Sequence, residues 1–243
     1  MRRGKTRTLD GVKPEAFRPL RYRRRWFCYL DLLGFTSLIH DKNIEQVIPL
    51  YKEALERLKR QAKPKKRLGL ICSWFSDTFI IYSRDDSERE FAYVEQVGRL
   101  FFQELILHHI PVRGAITHGA LYSQSAENVF VGPALIDAYR YGENQKWLGF
   151  ILTPSVFKRL EHTSLALNNR AHYRPLPAGI ISCEPSTPVY AFAFNNGTVN
   201  GRNPYLAALE QMQVAAPANA KEKYANTIAF ASLHSRATRA HST

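Results

Sequence analysis

The chain has 243 residues, 45% of them hydrophobic and 12% aromatic, which is enough for a sizeable apolar core and excludes a disordered or collagen-like chain. Lys and Arg number 34 against 21 Asp and Glu, a formal net charge of +13, yet residues 1 to 25 alone carry ten basic side chains against Asp10 and Glu15, a net +8. The pattern predicts a basic arm on a nearly balanced globule, either a solvated tail or a contact for polyanions, rather than a basic recognition face. The three cysteines (Cys28, Cys72 and Cys183) include no CxxC pair, so no disulfide framework or cysteine zinc site is expected and a reducing cytoplasm is the simplest setting. No stretch reaches the roughly 18 to 20 apolar residues of a membrane span. The apolar run from Trp26 to Ile39 is interrupted by Asp31 and does not read as a secretory leader.

After the arm, Arg25 to Gly34 reads as a buried strand ended by its glycine. Ile44, Val47, Ile48, Tyr51, Leu55 and Leu58 recur at helical spacing, and the run from Lys63 to Arg67 is expected to end that helix. Leu68 to Trp74 and Thr78 to Tyr82 form a hairpin across Phe75-Ser76-Asp77. Asp85, Asp86 and Ser87 offer helix-starting side chains ahead of Phe91, Val94, Val97, Phe101 and Leu105. Val112 to Tyr122 and Asn128 to Val131 read as strands, Pro133 to Gly142 as a helix, and Phe150 to Leu152 as a strand. Residues 155 to 195 read as loop-rich until a strand at Val189 to Phe194, and Pro204 to Val214 and Lys221 to Leu233 as terminal helices. The βαββαβ order predicts an α+β sandwich, with helices on one face of the sheet and the other face free.

Two aspartates sit where strands end or turn among buried hydrophobics: Asp31 in YLDLLGF and Asp77 in WFSD. Split βαβ order sets their strands side by side, and two half-buried carboxylates together are costly without a cation. Hard oxygen donors of this kind suit Mg²⁺ or Mn²⁺, with a backbone carbonyl, water and phosphate oxygens completing the shell. The same residues also suit a turn cap and an Asx turn, and spacing alone leaves both readings open.

In order and spacing, YLDLLGF, then WFSDTFIIYS about 45 residues on, PVRGAITHGALY and VFVGPALIDAYRYGEN resemble the catalytic domain of class III nucleotide cyclases, closest to the bacterial pyrimidine cyclases of the Pycsar anti-phage system. The resemblance covers Trp26 to Pro154, and the tail with Lys223 and Asn226-Thr227 looks similar too. It implies a ferredoxin-like cyclase domain over 25–195, preceded by the arm at 1–24 and followed by a C-terminal helical extension at 196–243. It further implies a homodimer with active sites across the interface. Asp31 and Asp77 match the two metal aspartates, and Leu32 the residue lending a backbone carbonyl to a metal. The amides of Leu33, Gly34 and Phe35 match the triphosphate turn, and Arg140 the arginine that steadies charge at the reacting phosphate.

The departures bear on the base. The position four residues before Arg140, an asparagine in most members, holds Ile136, and the two adenine-reading slots hold Ser73 and Val129. Neither can make the charged contacts of a purine enzyme, so Ser73 remains as a hydrogen-bonding candidate for a different base. No Lys or Arg lies between Arg113 and Arg140, so cations for the triphosphate are expected from Arg113, the partner or the arm, although a strand-end arginine more often makes a structural ion pair. His108-His109 reads as a helix cap and His118 as a satisfied core histidine.

The expectation is a cytoplasmic, Mn²⁺- or Mg²⁺-dependent uridylate cyclase that turns UTP into cyclic UMP and pyrophosphate, a messenger acting on a separate effector in anti-phage defence. No membrane or nucleic-acid partner is expected. The alternatives are a purine or cytidylate cyclase and a catalytically silent module that binds nucleotide or nucleic acid.

Overall fold

The computed structural model describes residues 20–34, 44–66, 70–163, 172–181, 189–195 and 202–237; the arm up to residue 19, Phe35 and Cys183 lie outside them. The chain first gives β1 (Arg23–Leu32), α1 (Ile44–Lys66), β2 (Ile71–Phe75), β3 (Thr78–Tyr82) and α2 (Glu88–Leu107). Next come β4 (Val112–Gln124), β5 (Val129–Val131), α3 (Pro133–Glu143), β6 (Phe150–Leu152) and α4 (Pro154–Leu160). Finally, β7 (Tyr173–Pro175) and β8 (Tyr190–Phe192) precede α5 (Pro204–Ala215) and α6 (Lys221–Ala237). The strands lie in the order β2-β3-β1-β4-β6-β8-β7, with β5 paired to the far end of β4. β4 and β6 are parallel and the other pairs antiparallel. This is the expected α+β architecture.

β1 is central because both its faces are apolar, the sequence signature of a strand covered on two sides. Trp26, Cys28, Leu30 and Leu32 enter the main core with α1 and α2, while Phe27 and Tyr29 enter a second cluster with Ile80, Tyr82, Leu121, Ala134 and Ala138. The two-residue period of a strand puts Asp31 on that second face, beside Tyr29. The face expected to be free is therefore partly covered by α3. The helix approaches closely because Gly142 lies against Tyr29: a Cβ there would stand 2.7 Å from the ring.

Helix α2 starts at Ser87, whose side chain accepts from the Glu90 amide. It ends at His108, whose amide donates to the carbonyls of Glu104 and Leu105. The hairpin turn is shorter than expected: Ser76 takes φ +54°, and Phe75 pairs with Thr78 as a strand residue. Helix α1 runs past Pro64 to Lys66. The loop-rich stretch contains α4 and β7, neither expected from the sequence. β1 begins at Arg23, so the last three arginines of the basic run belong to the sheet; Arg25 donates to the Ser83 carbonyl at 2.9 Å. Among the described residues, no helix is long and apolar enough to cross a membrane.

Candidate active site

The end of β1, the β2–β3 turn, the start of β4 and the end of α3 meet at one rim of the sheet. Asp31 pairs across the ladder with Thr78 on one side and Arg113 on the other. The Leu32 amide donates to the Asp77 carbonyl at 3.0 Å, so Asp77 stands next to Asp31's strand end. Arg113 approaches Asp31 Oδ2 through Nε at 3.1 Å and Nη2 at 3.0 Å. The same guanidinium reaches α3, where Nη1 donates to the Glu143 carbonyl at 2.8 Å and Nη2 meets Glu143 Oε2. Tyr29 holds Glu143 from below, its hydroxyl donating to Oε1 at 3.0 Å.

The electrostatics follow from this crowding. Burial pushes the Asp31 carboxyl up to about 6; Arg113 opposes that rise, and the charges of Glu143 and Asp77 reinforce it. Burial, then the charge of Asp31, likewise raises the Tyr29 hydroxyl and keeps it a proton donor. From α6, Lys223 is lowered by burial and by Arg113, while Glu143 and Asp31 act the other way. Asp31 and Glu143 thus share the rim with two cations, Arg113 and Lys223, and Asp77 adds its charge beside Asp31.

Sequence reasoning offered a divalent metal to relieve the paired aspartates, beside a turn-cap reading, and expected a structural ion pair of Arg113 without naming its partner. Arg113 pairs with Asp31 because β4 lies beside β1 in the register that sets them opposite one another. The donor chemistry still fits a hard divalent cation. Arg113 takes only Oδ2 of Asp31, Asp77 adds a half-buried carboxylate, and burial, with the charges of Glu143 and Asp77, holds the Asp31 carboxyl above its ordinary range. Among the described residues there is no ready cage of three or more acidic, His or Cys side chains, so an ion here needs oxygens from backbone and phosphate, the coordination habit of Mg²⁺.

Similar solved structures place this geometry in a known architecture. The adenylyl cyclase CyaB from P. aeruginosa superposes with a TM-score of 0.54 at 13% identity, covering 71% of this chain and 94% of that one. The catalytic core of a rhodopsin-guanylyl cyclase with converted specificity, in complex with ATPαS, gives 0.55 at 12%, covering 71% and 96%. The guanylate cyclase domain of RhGC from Catenaria anguillulae, in complex with GTP, gives 0.54 at 11%, covering 71% and 97%. The chain has the fold of a nucleotide cyclase catalytic domain. No family model and no curated protein matches its sequence.

Within this cyclase fold the remaining expected site residues divide. The Leu33 amide, assigned to the triphosphate turn, donates instead to the Pro111 carbonyl at 2.8 Å. That leaves the exposed turn to Gly34, whose φ of +76° suits glycine; Phe35 lies outside the described residues. Ser73 shares the Asp31 face of the sheet through its partner Ile80, and its hydroxyl donates to Asn128 Oδ1 at 3.1 Å. Arg140 is exposed on the outer face of α3, one turn from Ile136, and makes no ion pair among the described residues. His118 is buried between Asp86 Oδ2 at 3.3 Å and Arg24 Nη2 at 3.4 Å, away from this rim.

Sequence reasoning missed Tyr29, Glu143 and Asn128, and it gave Lys223 no role. Tyr29 carried a usable signal, standing two residues before Asp31 on the same strand face. Glu143 carried none, because its partner Arg113 is thirty residues away.

Proposed function

We propose that the protein is a pyrimidine nucleotide cyclase converting UTP to 3′,5′-cyclic UMP and pyrophosphate, with the product serving as a second messenger in anti-phage defence. What supports the activity most is the acidic rim in a cyclase fold: a carboxylate at the end of β1 and another at the β2–β3 turn, whose charge adds to burial in holding the Asp31 carboxyl above its ordinary range. What supports a pyrimidine is Ser73 and Val129 in the base-reading slots, with the Ser73 hydroxyl and the Asn128 amide offering neutral hydrogen bonds in place of a charged purine pair.

In the reaction the ribose 3′-oxygen bonds to the α-phosphorus as the bond from that phosphorus to the β-bridging oxygen breaks and pyrophosphate leaves. Divalent ions, Mn²⁺ or Mg²⁺, when bound, acidify the 3′-hydroxyl and neutralise the departing oxygens. Asp31 and Asp77 would hold them, with the Leu32 carbonyl as a further oxygen. Glu143, fixed by Tyr29, keeps the Arg113 guanidinium compensated when Asp31 turns toward an ion. Gly34 offers its amide to phosphate. Arg140 on its exposed helix face is available to a site in a second subunit, where its charge would meet the developing negative charge at the α-phosphorus.

Dimerisation is supported by apolar side chains in solvent on β2, β5 and α3. Phe75 is 84% exposed and Ile136 65%, with Tyr139 and Val131 also outward. Ile136, Tyr139 and Arg140 form one stripe of α3, opposite the buried Ala134 and Ala138.

Incubating the protein with each of the four nucleoside triphosphates in Mn²⁺ tests the reading. Cyclic UMP and pyrophosphate from UTP, lost in Asp77→Ala, is the expected result. Product from ATP, GTP or CTP instead would correct the base. The seating of Arg113 on Asp31 favours one other reading, a silent nucleotide-binding module, for which the outcome is binding without product from any triphosphate.

A further inference from the structure

The far end of the sheet face that carries Asp31 holds a buried cation whose hydrogen bonding is incomplete. The two-residue period of β1 puts Arg25 on the face of Phe27, Tyr29 and Asp31. It stands about 20 Å from Asp31 at the rise of a strand. Arg25 is only 9% exposed and makes no ion pair among the described residues. Its Nη1 donates to the Ser83 carbonyl at 2.9 Å, but its Nε is buried without a partner.

Tyr82 supplies a second unused donor. Its ring centre lies 5.3 Å from Arg25 Cζ, and its hydroxyl, on a fully buried side chain, also lacks a partner. Phe27 at 6.4 Å and Phe130 at 5.7 Å hold the ring, so the hydroxyl cannot swing to water without breaking that cluster. A guanidinium N–H can only donate and a phenol donates readily, so the missing partner is an acceptor. The surroundings are positive. Burial pulls the Arg25 guanidinium below its ordinary value; Tyr82 and Asp85 oppose that pull, and Arg23, on the same strand face, adds to it. Gly119, the ladder partner of Arg25, lies under the first turn of α3, where a Cβ would stand 3.4 Å from Ala134. That helix starts at Gly132 with no side-chain cap, so the positive end of its dipole adds to the field.

We infer that Arg25 and Tyr82 form a binding site for a small oxyanion, a phosphate or carboxylate group that accepts from Nε and the phenol together beside the start of α3. Such a group brings at least two oxygens, enough to meet both donors at once, and its charge offsets the buried guanidinium. A water molecule would complete the hydrogen bonds and leave the charge uncompensated. The site is separate from the acidic rim and does not depend on the cyclase reading.

The test is the NMR signal of the Arg25 Nε–H group in the metal-free full chain, followed as inorganic phosphate, acetate or chloride is added at constant ionic strength. The signal is assigned by its loss in Arg25→Lys, or through its contacts to the Tyr82 ring protons should that variant not fold. A saturable shift with phosphate, with acetate or with both, and none with chloride, is expected, and the tighter of the two identifies the group. Tyr82→Phe keeps the ring and removes the hydroxyl, and it should weaken binding by about twofold to tenfold, the range of one hydrogen bond. A signal that neither oxyanion moves, or that chloride moves equally, overturns the inference. Equal affinity in Tyr82→Phe overturns it as well, because the phenol is then no part of the site.

Discussion

Asp31 is retained at a cost. Its carboxyl is raised from 3.8 to about 6, chiefly by burial, so the folded chain holds the proton more tightly than the unfolded chain does. Stability from this group is therefore fully present below about pH 4, falls as pH rises toward 6, and stays lost above it, with a ceiling of about 3 kcal/mol. Asparagine mimics the protonated acid. In chelator, Asp31→Asn and wild type should thus unfold at similar denaturant concentrations near pH 4 and diverge by pH 7, where the variant is the more stable. Parallel curves would contradict the assigned burial of charge. At this scale the sequence was half legible. Asp31 and Asp77 stand out because an acid inside an apolar run demands a reason, whereas the hold of Arg113 on Asp31 depends on the β1–β4 register, which no local pattern encodes. The hydrogen bond from the Leu33 amide was hidden for the same reason, since its acceptor Pro111 comes from the far side of α2.

Local signals found the elements wherever the period was long. α2 shows its cap and its apolar stripe, and the two faces of β1 read directly as a buried strand. α4 escaped notice although Thr153-Pro154 places proline at its first turn, a standard start signal, because only seven residues follow. β7 has three residues and ends in proline at the sheet edge, where propensity says little. The step from β4–β5 into α3 is the element joint most exposed to test. Gly132 has φ +149°, and a Cβ there would stand 2.4 Å from the Ala120 carbonyl. Gly132→Ala must strain the turn or part α3 from the sheet, and we expect a loss of about 2 to 4 kcal/mol by chemical denaturation. A loss under half a kilocalorie would mean that the joint is looser than its geometry indicates.

Across the whole molecule, the uneven charge and the outward apolar side chains call for different partners. The +8 of the first 25 residues belongs mostly to the arm, while Phe75, Val131, Ile136 and Tyr139 are exposed on β2, β5 and α3. Phe75→Glu should shift the mass measured by light scattering from dimer to monomer and remove activity, with the thermal midpoint within a few degrees of wild type. If sites are shared across that interface, mixing inactive Asp77→Ala and Arg140→Ala protomers should restore part of the activity, and no recovery would place each site within one chain.

The most direct measurement is Mn²⁺ binding by electron paramagnetic resonance, with wild type, Asp31→Asn and Asp77→Asn titrated in the presence of UTP. The account predicts that the wild type removes free Mn²⁺ signal at micromolar protein and that each asparagine variant loses about tenfold or more in affinity, as expected when a charged ligand oxygen is removed. Equal binding by all three proteins, or none by the wild type, would contradict it and leave Asp31 as no more than the buried partner of Arg113.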